Sequence, residues 1–157
     1  MKEIILKKEN TCCVTGHRTL YSDFDKDVLE KVFAKLIERG FCNFLIGMAL
    51  GFDTECFKIL EKFRSRLKHL KLIACVPCPE QAEKFNINQK REYVRMLDSA
   101  DDTVVISDYY TKWCMHKRNE YMVDNSSVIV CYVRKNSGGS VNTVKYAVKK
   151  NLEVILV

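Results

Sequence analysis

The sequence predicts an α/β fold: a Rossmann-like three-layer sandwich around a mostly parallel six-stranded sheet. Three observations predict it. Short apolar runs alternate with amphipathic stretches of helical spacing along the whole chain. None of the runs alternates polar with apolar strictly, which suits strands covered on both faces. A 47% hydrophobic composition over 157 residues allows one self-sufficient core and is short for two, so a single domain spanning residues 1–157 is expected.

Each element follows in order. A strand is expected at 11–15 (TCCVT), then a helix on which Phe24, Val28, Val32 and Leu36 recur, joined by Leu29, Phe33 and Ile37. The run 43–46 (NFLI) is the second strand, and Phe52, Cys56, Leu60, Phe63 and Leu67 stripe the second helix. The third strand, 71–76 (KLIACV), leads to a helix ending near Leu97. Asp101 precedes the fourth strand at 103–107 (TVVIS), and a further helix ends near Asn125. Ser126 precedes the fifth strand, 127–133 (SVIVCYV); Val141, Val144 and Val148 mark the last helix, and 153–157 (EVILV) is the sixth strand.

Composition narrows the functional classes. No apolar run approaches the roughly 20 residues of a membrane span. The N-terminal "MKEIILKKEN" lacks a signal-peptide core and a small-residue cleavage site, so a soluble, cytoplasmic protein without membrane partners is expected. With two prolines, six glycines and no biased tract, no linker is visible. The net charge of +6 is compatible with an anionic ligand or nucleic acid, but the basic residues are dispersed among glutamates as on a solvated surface. Of the eight cysteines most stand in apolar runs and read as free buried thiols. Cys75-Val-Pro-Cys78, with Cys114 and His116 further on, lacks the two close ligand pairs of a zinc site, so no metal and no cofactor is expected.

In an open parallel sheet a ligand binds beyond the carboxyl ends of the strands, where their order reverses. After the first strand stand Gly16, His17 and Arg18, and after the second Gly47-Met48-Ala49-Leu50-Gly51-Phe52-Asp53-Thr54, a glycine loop opening a helix. Asp53 either contacts a ligand or, like Thr54, caps that helix. Pro77-Cys78-Pro79-Glu80-Gln81 forms a stiff wall after the third strand, and Ser107-Asp108-Tyr109-Tyr110 follows the fourth. After the fifth comes "KNSGGSVNTVKY" (135–146). A helix N-terminus offers unpaired N–H donors and partial positive charge, glycines let a phosphate approach the backbone, and Ser137, Ser140, Asn142 and Thr143 add short donors. The alternative is a glycine turn capped by Ser140 or Asn142. The segment is not a Walker A loop, and no G-x-G-x-x-G occurs.

Taken together, "TGHR", "GMALGFDTE", "PCPEQ", "CMHKRNEYMVDNS" and "SGGSVNTVKYA" resemble the YpsA-like branch of the SLOG superfamily, which joins the DNA-processing protein Smf/DprA with the LOG phosphoribohydrolases. The resemblance runs from Thr15 to Val157 and implies a Rossmann-like fold with a pocket for a nucleotide-type ligand. "MHKRNEYMVDNSS" is similar to the LOG signature, in which an arginine, matched by Arg118, and a glutamate help to split a nucleoside 5′-monophosphate. That glutamate has no counterpart: Tyr146 stands three residues beyond Thr143, and Asp53, Asp108 and Asp124 are candidate substitutes that the pattern itself does not single out. "GMALGFDTECFKIL" and the Arg118-Asn119 pair resemble DprA, which implies single-stranded DNA as a less favoured partner. Met48 stands where a second glycine is common in the YpsA-like pattern.

The reading is a binding or sensing domain for a nucleotide or ADP-ribose-like ligand, with LOG-like hydrolysis and DNA binding as alternatives. Gly138, Gly139, Ser140, Asn142 and Thr143 would hold the phosphate, Arg18 and Arg118 would neutralise it, and Gly47, Gly51 and Asp53 would line the ribose side. Arg118, Asp53 and Asp124 are the catalytic candidates if a bond is cleaved; an ion pair between Arg118 and Asp124 is the competing structural role. His17 and His116 would serve in proton transfer or bond a nearby backbone group. Homo-oligomerisation is left open.

Overall fold

The computed structural model describes residues 6–157; residues 1–5, part of the segment read as lacking a signal peptide, lie outside the described residues. Six strands form one sheet: β1 (Thr11–Gly16), β2 (Asn43–Ile46), β3 (Lys71–Val76), β4 (Asp102–Val105), β5 (Val128–Tyr132) and β6 (Glu153–Leu156). Five α-helices join them: α1 (Lys26–Glu38), α2 (Phe52–Arg66), α3 (Ile87–Ser99), α4 (Cys114–Asp124) and α5 (Gly139–Lys149). The order across the sheet is β4-β3-β2-β1-β5-β6 and every neighbouring pair is parallel. The fold is therefore Rossmann-like α/β, with a wholly parallel sheet. The expected strand at 103–107 stops at Val105, although Ile106 and Ser107 still donate to the Val76 and Pro77 carbonyls at 2.9 and 3.1 Å.

Strand periodicity sorts the side chains into two layers. Cys12, Val14, Phe44, Ile46, Leu72, Ala74, Val128, Val130 and Tyr132 meet α1, α2 and α3 on one face. Their neighbours Cys13, Leu45, Ile73, Cys75, Ile129 and Cys131 meet Met122 and Val123 of α4 and Ala147 of α5 on the other. The four inner strands are buried on both faces, as their unbroken apolar runs predict. The edge strands depart from this: Asp102, Thr103, Val105 and Leu156 are exposed, because no further strand or helix among the described residues covers the rim. The helical stripes also narrow at their ends. Val28 and Val148 are exposed, and α5 seats Thr143 and Ala147 against the sheet. All eight cysteines are free thiols. Among the described residues no helix is long and apolar enough to cross a membrane.

An aromatic group welds the strand exits together. Phe52 and Tyr132 stack at 5.7 Å between centroids, and Phe24 meets both edge-on. Phe52 is fully buried, and its loss would cost about 3–5 kcal/mol.

Candidate functional site

The chain runs outward from β1 to β4 and then returns through α4 to lay β5 on the other side of β1. The strand order thus reverses between β1 and β5, and a crevice of about 380 Å³ opens above their carboxyl ends. It is lined by Gly16, His17, Arg18, Ala49, Asp53, Met115, Arg118, Asn119, Met122, Lys135, Ser137, Gly138, Gly139 and Ser140, among others.

Its β1 side is held by β5. The Tyr132 hydroxyl accepts the Tyr21 N–H at 3.1 Å and donates to Asp23 at 3.0 Å. Arg134 lies over the Tyr132 ring at 4.3 Å and donates to the other Asp23 oxygen at 2.6 Å. His17 Nε2 accepts the Arg134 backbone N–H at 2.7 Å, which requires that nitrogen unprotonated. Burial, then the Lys135 and Arg134 charges, push the His17 pKa down and favour this neutral form. Of the two roles open to His17, the structure shows the backbone bond.

The glycine loop after β2 is closed from within. Gly51 stands at φ 79°, and a side chain there would collide with the Arg18 carbonyl and lie 2.6 Å from that of His17. Asp53 Oδ2 accepts the Ala49 N–H at 3.1 Å while the Thr54 hydroxyl donates to the Ala49 carbonyl at 3.2 Å. Neither side chain caps α2; together they clamp Ala49. Met48 is buried at φ 61°, a left-handed position that explains why glycine suits it.

Gly47 is the pivot. Its carbonyl accepts from Arg118 Nη1 and, at 2.9 Å, from Gln81 Nε2, whose own Oε1 takes the Tyr93 hydroxyl at 3.0 Å. A methyl on Gly47 would lie 2.9 Å from Arg118 Cζ and 3.0 Å from Asp53 Oδ2. Arg118 and Asp53 are both buried, and no ion pair joins them among the described residues. Burial pushes the Asp53 carboxyl up to about 6, against the pull of Arg118, the Ala49 N–H and Arg18. Burial also lowers the Arg118 pKa, opposed chiefly by Asp53.

On the β5 side, α5 begins at Gly139 with Gly138 as an N-cap at φ 117° and no side-chain cap. Neither Ser140 nor Asn142 fills that role. Asn142 N–H makes the first helical bond, to Gly138 O at 3.0 Å, so the Gly139, Ser140 and Val141 amides have no acceptor among the described residues. Side chains on Gly138 or Gly139 would meet nothing within 4 Å.

The expected residues separate accordingly. Gly16, His17, Arg18, Asp53, Arg118, Asn119, Ser137, Gly138, Gly139 and Ser140 converge on the crevice; Gly47 and Gly51 shape its wall from behind. Thr143 is buried and its hydroxyl donates to the Gly139 carbonyl at 2.8 Å, so it is turned into the protein. Asn142 lies outside the lining. His116 is exposed and pairs with Glu120 at 2.7 Å. Asp124 neither pairs with Arg118 nor approaches the crevice: it accepts the Tyr146 hydroxyl at 2.7 Å at the far end of α4. Asp108 is exposed and also outside the lining. Sequence reasoning missed Lys135, whose place just before the glycine pair was the available signal, and Gln81 as a brace.

The alternation of parallel strands and helices, with its crevice at the reversal of strand order, defines a Rossmann-like α/β protein. The model of the YspA SLOG family (YpsA) matches residues 12–154, and the chain belongs to that family. It is 31% identical over 140 residues to the SPbeta prophage-derived protein YoqJ of Bacillus subtilis (strain 168), covering 81% of this chain and 82% of YoqJ. It is 25% identical over 144 residues to the UPF0398 protein BH1768 of Halalkalibacterium halodurans, covering 89% and 76%. Among solved structures it is similar to DNA processing protein A (DprA) from Streptococcus pneumoniae, with a TM-score of 0.65 and 17% identity over 93% of this chain and 49% of that one. It is also similar to DprA from Helicobacter pylori, described for its single-stranded DNA binding mode, with a TM-score of 0.66 and 17% identity over 93% and 64%. The chain thus spans about half to two thirds of these DprA chains.

Proposed function

We propose that the crevice binds a phosphorylated nucleotide-type ligand, its phosphate seated on the first turn of α5. The observation that carries this reading is the meeting, at the reversal point of the sheet, of three helix amides unpaired among the described residues with Arg18, Arg118 and Lys135. The open space at Gly138 and Gly139 supports it, since a Cβ added at either would meet no atom within 4 Å among the described residues. Each charge-assisted contact would contribute about 1.5–3 kcal/mol. Asp53 Oδ1 has no partner among the described residues and stands ready for a ribose hydroxyl.

The test is thermal unfolding with adenosine, AMP and ribose 5-phosphate. The two phosphorylated compounds are expected to stabilise the protein and adenosine to leave it unchanged. Stabilisation by adenosine alone would refute the reading. Chromatography of the AMP mixture separates binding from hydrolysis: adenine and ribose 5-phosphate would make Asp53 the candidate carboxylate of a phosphoribohydrolase.

A second reading is single-stranded DNA binding, favoured by Tyr109, Tyr110 and Trp113, which are 67%, 62% and 59% exposed on the segment after β4. Lys112 stands 5.1 Å from the Trp113 ring centroid. Bases stack on such rings at about 1–3 kcal/mol each. A labelled oligonucleotide shifted at low salt, released by added salt and lost in Trp113→Ala would support this reading; no shift at low salt would remove it.

A further inference from the structure

A second chamber of about 570 Å³ adjoins the crevice, and Arg18, Ala49, Met115 and Arg118 line both. What it adds is an aromatic and apolar wall, from Phe85, Tyr110 and Leu50. Its polar groups balance: donors on Arg18, Arg118, Lys84 and Tyr110 match the carboxylates of Glu80 and Glu83. Hydrogen bonding there favours no particular pattern on a ligand. The wall itself is firmly held. The Gln81, Glu83 and Phe85 amides donate to the Cys78, Glu80 and Ala82 carbonyls at 3.2, 3.0 and 3.0 Å, which winds 78–85 into successive turns. Phe85 is half-buried, and Tyr93 meets its ring edge-on at 5.7 Å between centroids. The Tyr93 hydroxyl donates to Gln81, whose amide donates to the Gly47 carbonyl that also receives Arg118. One chain of contacts thus runs from the aromatic wall to the pivot of the crevice.

We propose that the second chamber holds the base of the nucleotide by stacking on Phe85 and Tyr110, and that it reads the base as a flat ring without choosing among bases. This deepens the phosphate-binding reading of the first chamber and rests on it. Every base has a π-face, so an aromatic platform accepts any of them. A ring already fixed by its neighbours, as Phe85 is by Tyr93, loses little freedom when a ligand arrives. Tyr109 and Trp113 lie outside this lining, so the site does not depend on the other exposed rings of the DNA-binding reading.

Calorimetric titration of the whole chain with AMP, IMP, CMP, UMP and ribose 5-phosphate tests it. Each nucleotide is expected to bind about fivefold or more tightly than ribose 5-phosphate. AMP and IMP should agree within about threefold, and so should CMP and UMP. Phe85→Leu keeps apolar bulk but removes the ring, and Tyr110→Ala falls at an exposed position, so both variants should fold. Each should lower the ratio of AMP to ribose 5-phosphate affinity, and the two combined should bring it near one. A ratio that neither substitution moves would overturn the inference, as would a split wider than about threefold within either nucleotide pair. Ribose 5-phosphate binding as tightly as the nucleotides sinks the inference alone. Failure of every phosphorylated probe sinks the phosphate-binding reading with it.

Discussion

Gly139→Ala separates a ligand requirement from a folding requirement. Gly139 is the first residue of α5, its φ is not positive, and a methyl there meets no atom within 4 Å. In a helix alanine is favoured over glycine by at most about 1 kcal/mol, which for a chain of this size raises Tm by roughly 2–4 °C. A phosphate seated on the same turn would meet the methyl head-on. Losing one charge-assisted amide contact of about 1.5–3 kcal/mol weakens binding roughly 10- to 100-fold. Calorimetric titration with AMP beside a thermal melt measures both quantities. Gly51→Ala is the contrast: at φ 79°, with the Arg18 and His17 carbonyls in the way, it should destabilise by several kcal/mol. AMP affinity within about twofold of wild type in Gly139→Ala would refute the phosphate seat. So would a Gly139→Ala melt as low as that of Gly51→Ala, since the position would then be structural.

Asp53, pushed up to about 6 by burial, holds its proton more tightly folded than unfolded, so its contribution to stability is present below about pH 4 and lost as pH rises through 6. Urea titrations should therefore show wild type losing roughly 2 kcal/mol relative to Asp53→Asn between pH 4 and 7.5, and a flat difference would refute it. For His17 the displacement is downward, so its stabilising contribution is full above the ordinary histidine value of about 6.5 and fades as pH falls through its own lower one. NMR should show the His17 ring titrating late on acidification, with exchange of the Arg134 amide rising in step; a ring protonating at or above the ordinary value contradicts the bond. Thr111 Oγ1 is buried without a partner among the described residues, and Thr111→Val should leave stability unchanged or raise it by about 1 kcal/mol. A loss of more than about 1 kcal/mol would mean that the hydroxyl is satisfied in solution.

The layered fold was legible because the inner strands are covered on both faces, so hydrophobicity alone marks them, as in 43–46 and 71–76. Residues in the loops that follow strands, such as His17 and Arg18 after β1 and the glycine pair at 138 and 139 between β5 and α5, could be mapped because the fold fixes where strand ends lie. Helical residues were harder. Whether Thr143 or Ser140 faces the crevice depends on the rotation of α5 about its axis, and its valine stripe fixes that rotation poorly: Val144 packs beside Ala147, whereas Val148 is exposed. Asp124 misled because it follows Arg118 closely in sequence, yet six residues along a helix carry it away from the crevice, to Tyr146. The bracing roles of Tyr132, Asp23 and Gln81 join segments distant in sequence and left no local pattern.

The cost of the Gly47 arrangement argues for a ligand more strongly than any single motif does. Burying a guanidinium and a carboxylate is expensive, and a direct ion pair would offset part of that cost. Here each charge is turned aside: Arg118 to the Gly47 carbonyl and Asn119, Asp53 to the Ala49 amide. Glycine at 47 leaves just the room both groups need, since a methyl would press on each of them. A fold that needed the two only for stability would let them meet or replace both with apolar side chains. Holding them apart keeps Arg118 Nη2 and Asp53 Oδ1 free of partners among the described residues, in a crevice whose opposite wall carries the open amides of α5. A polar ligand with an anionic end would complete both sides at once.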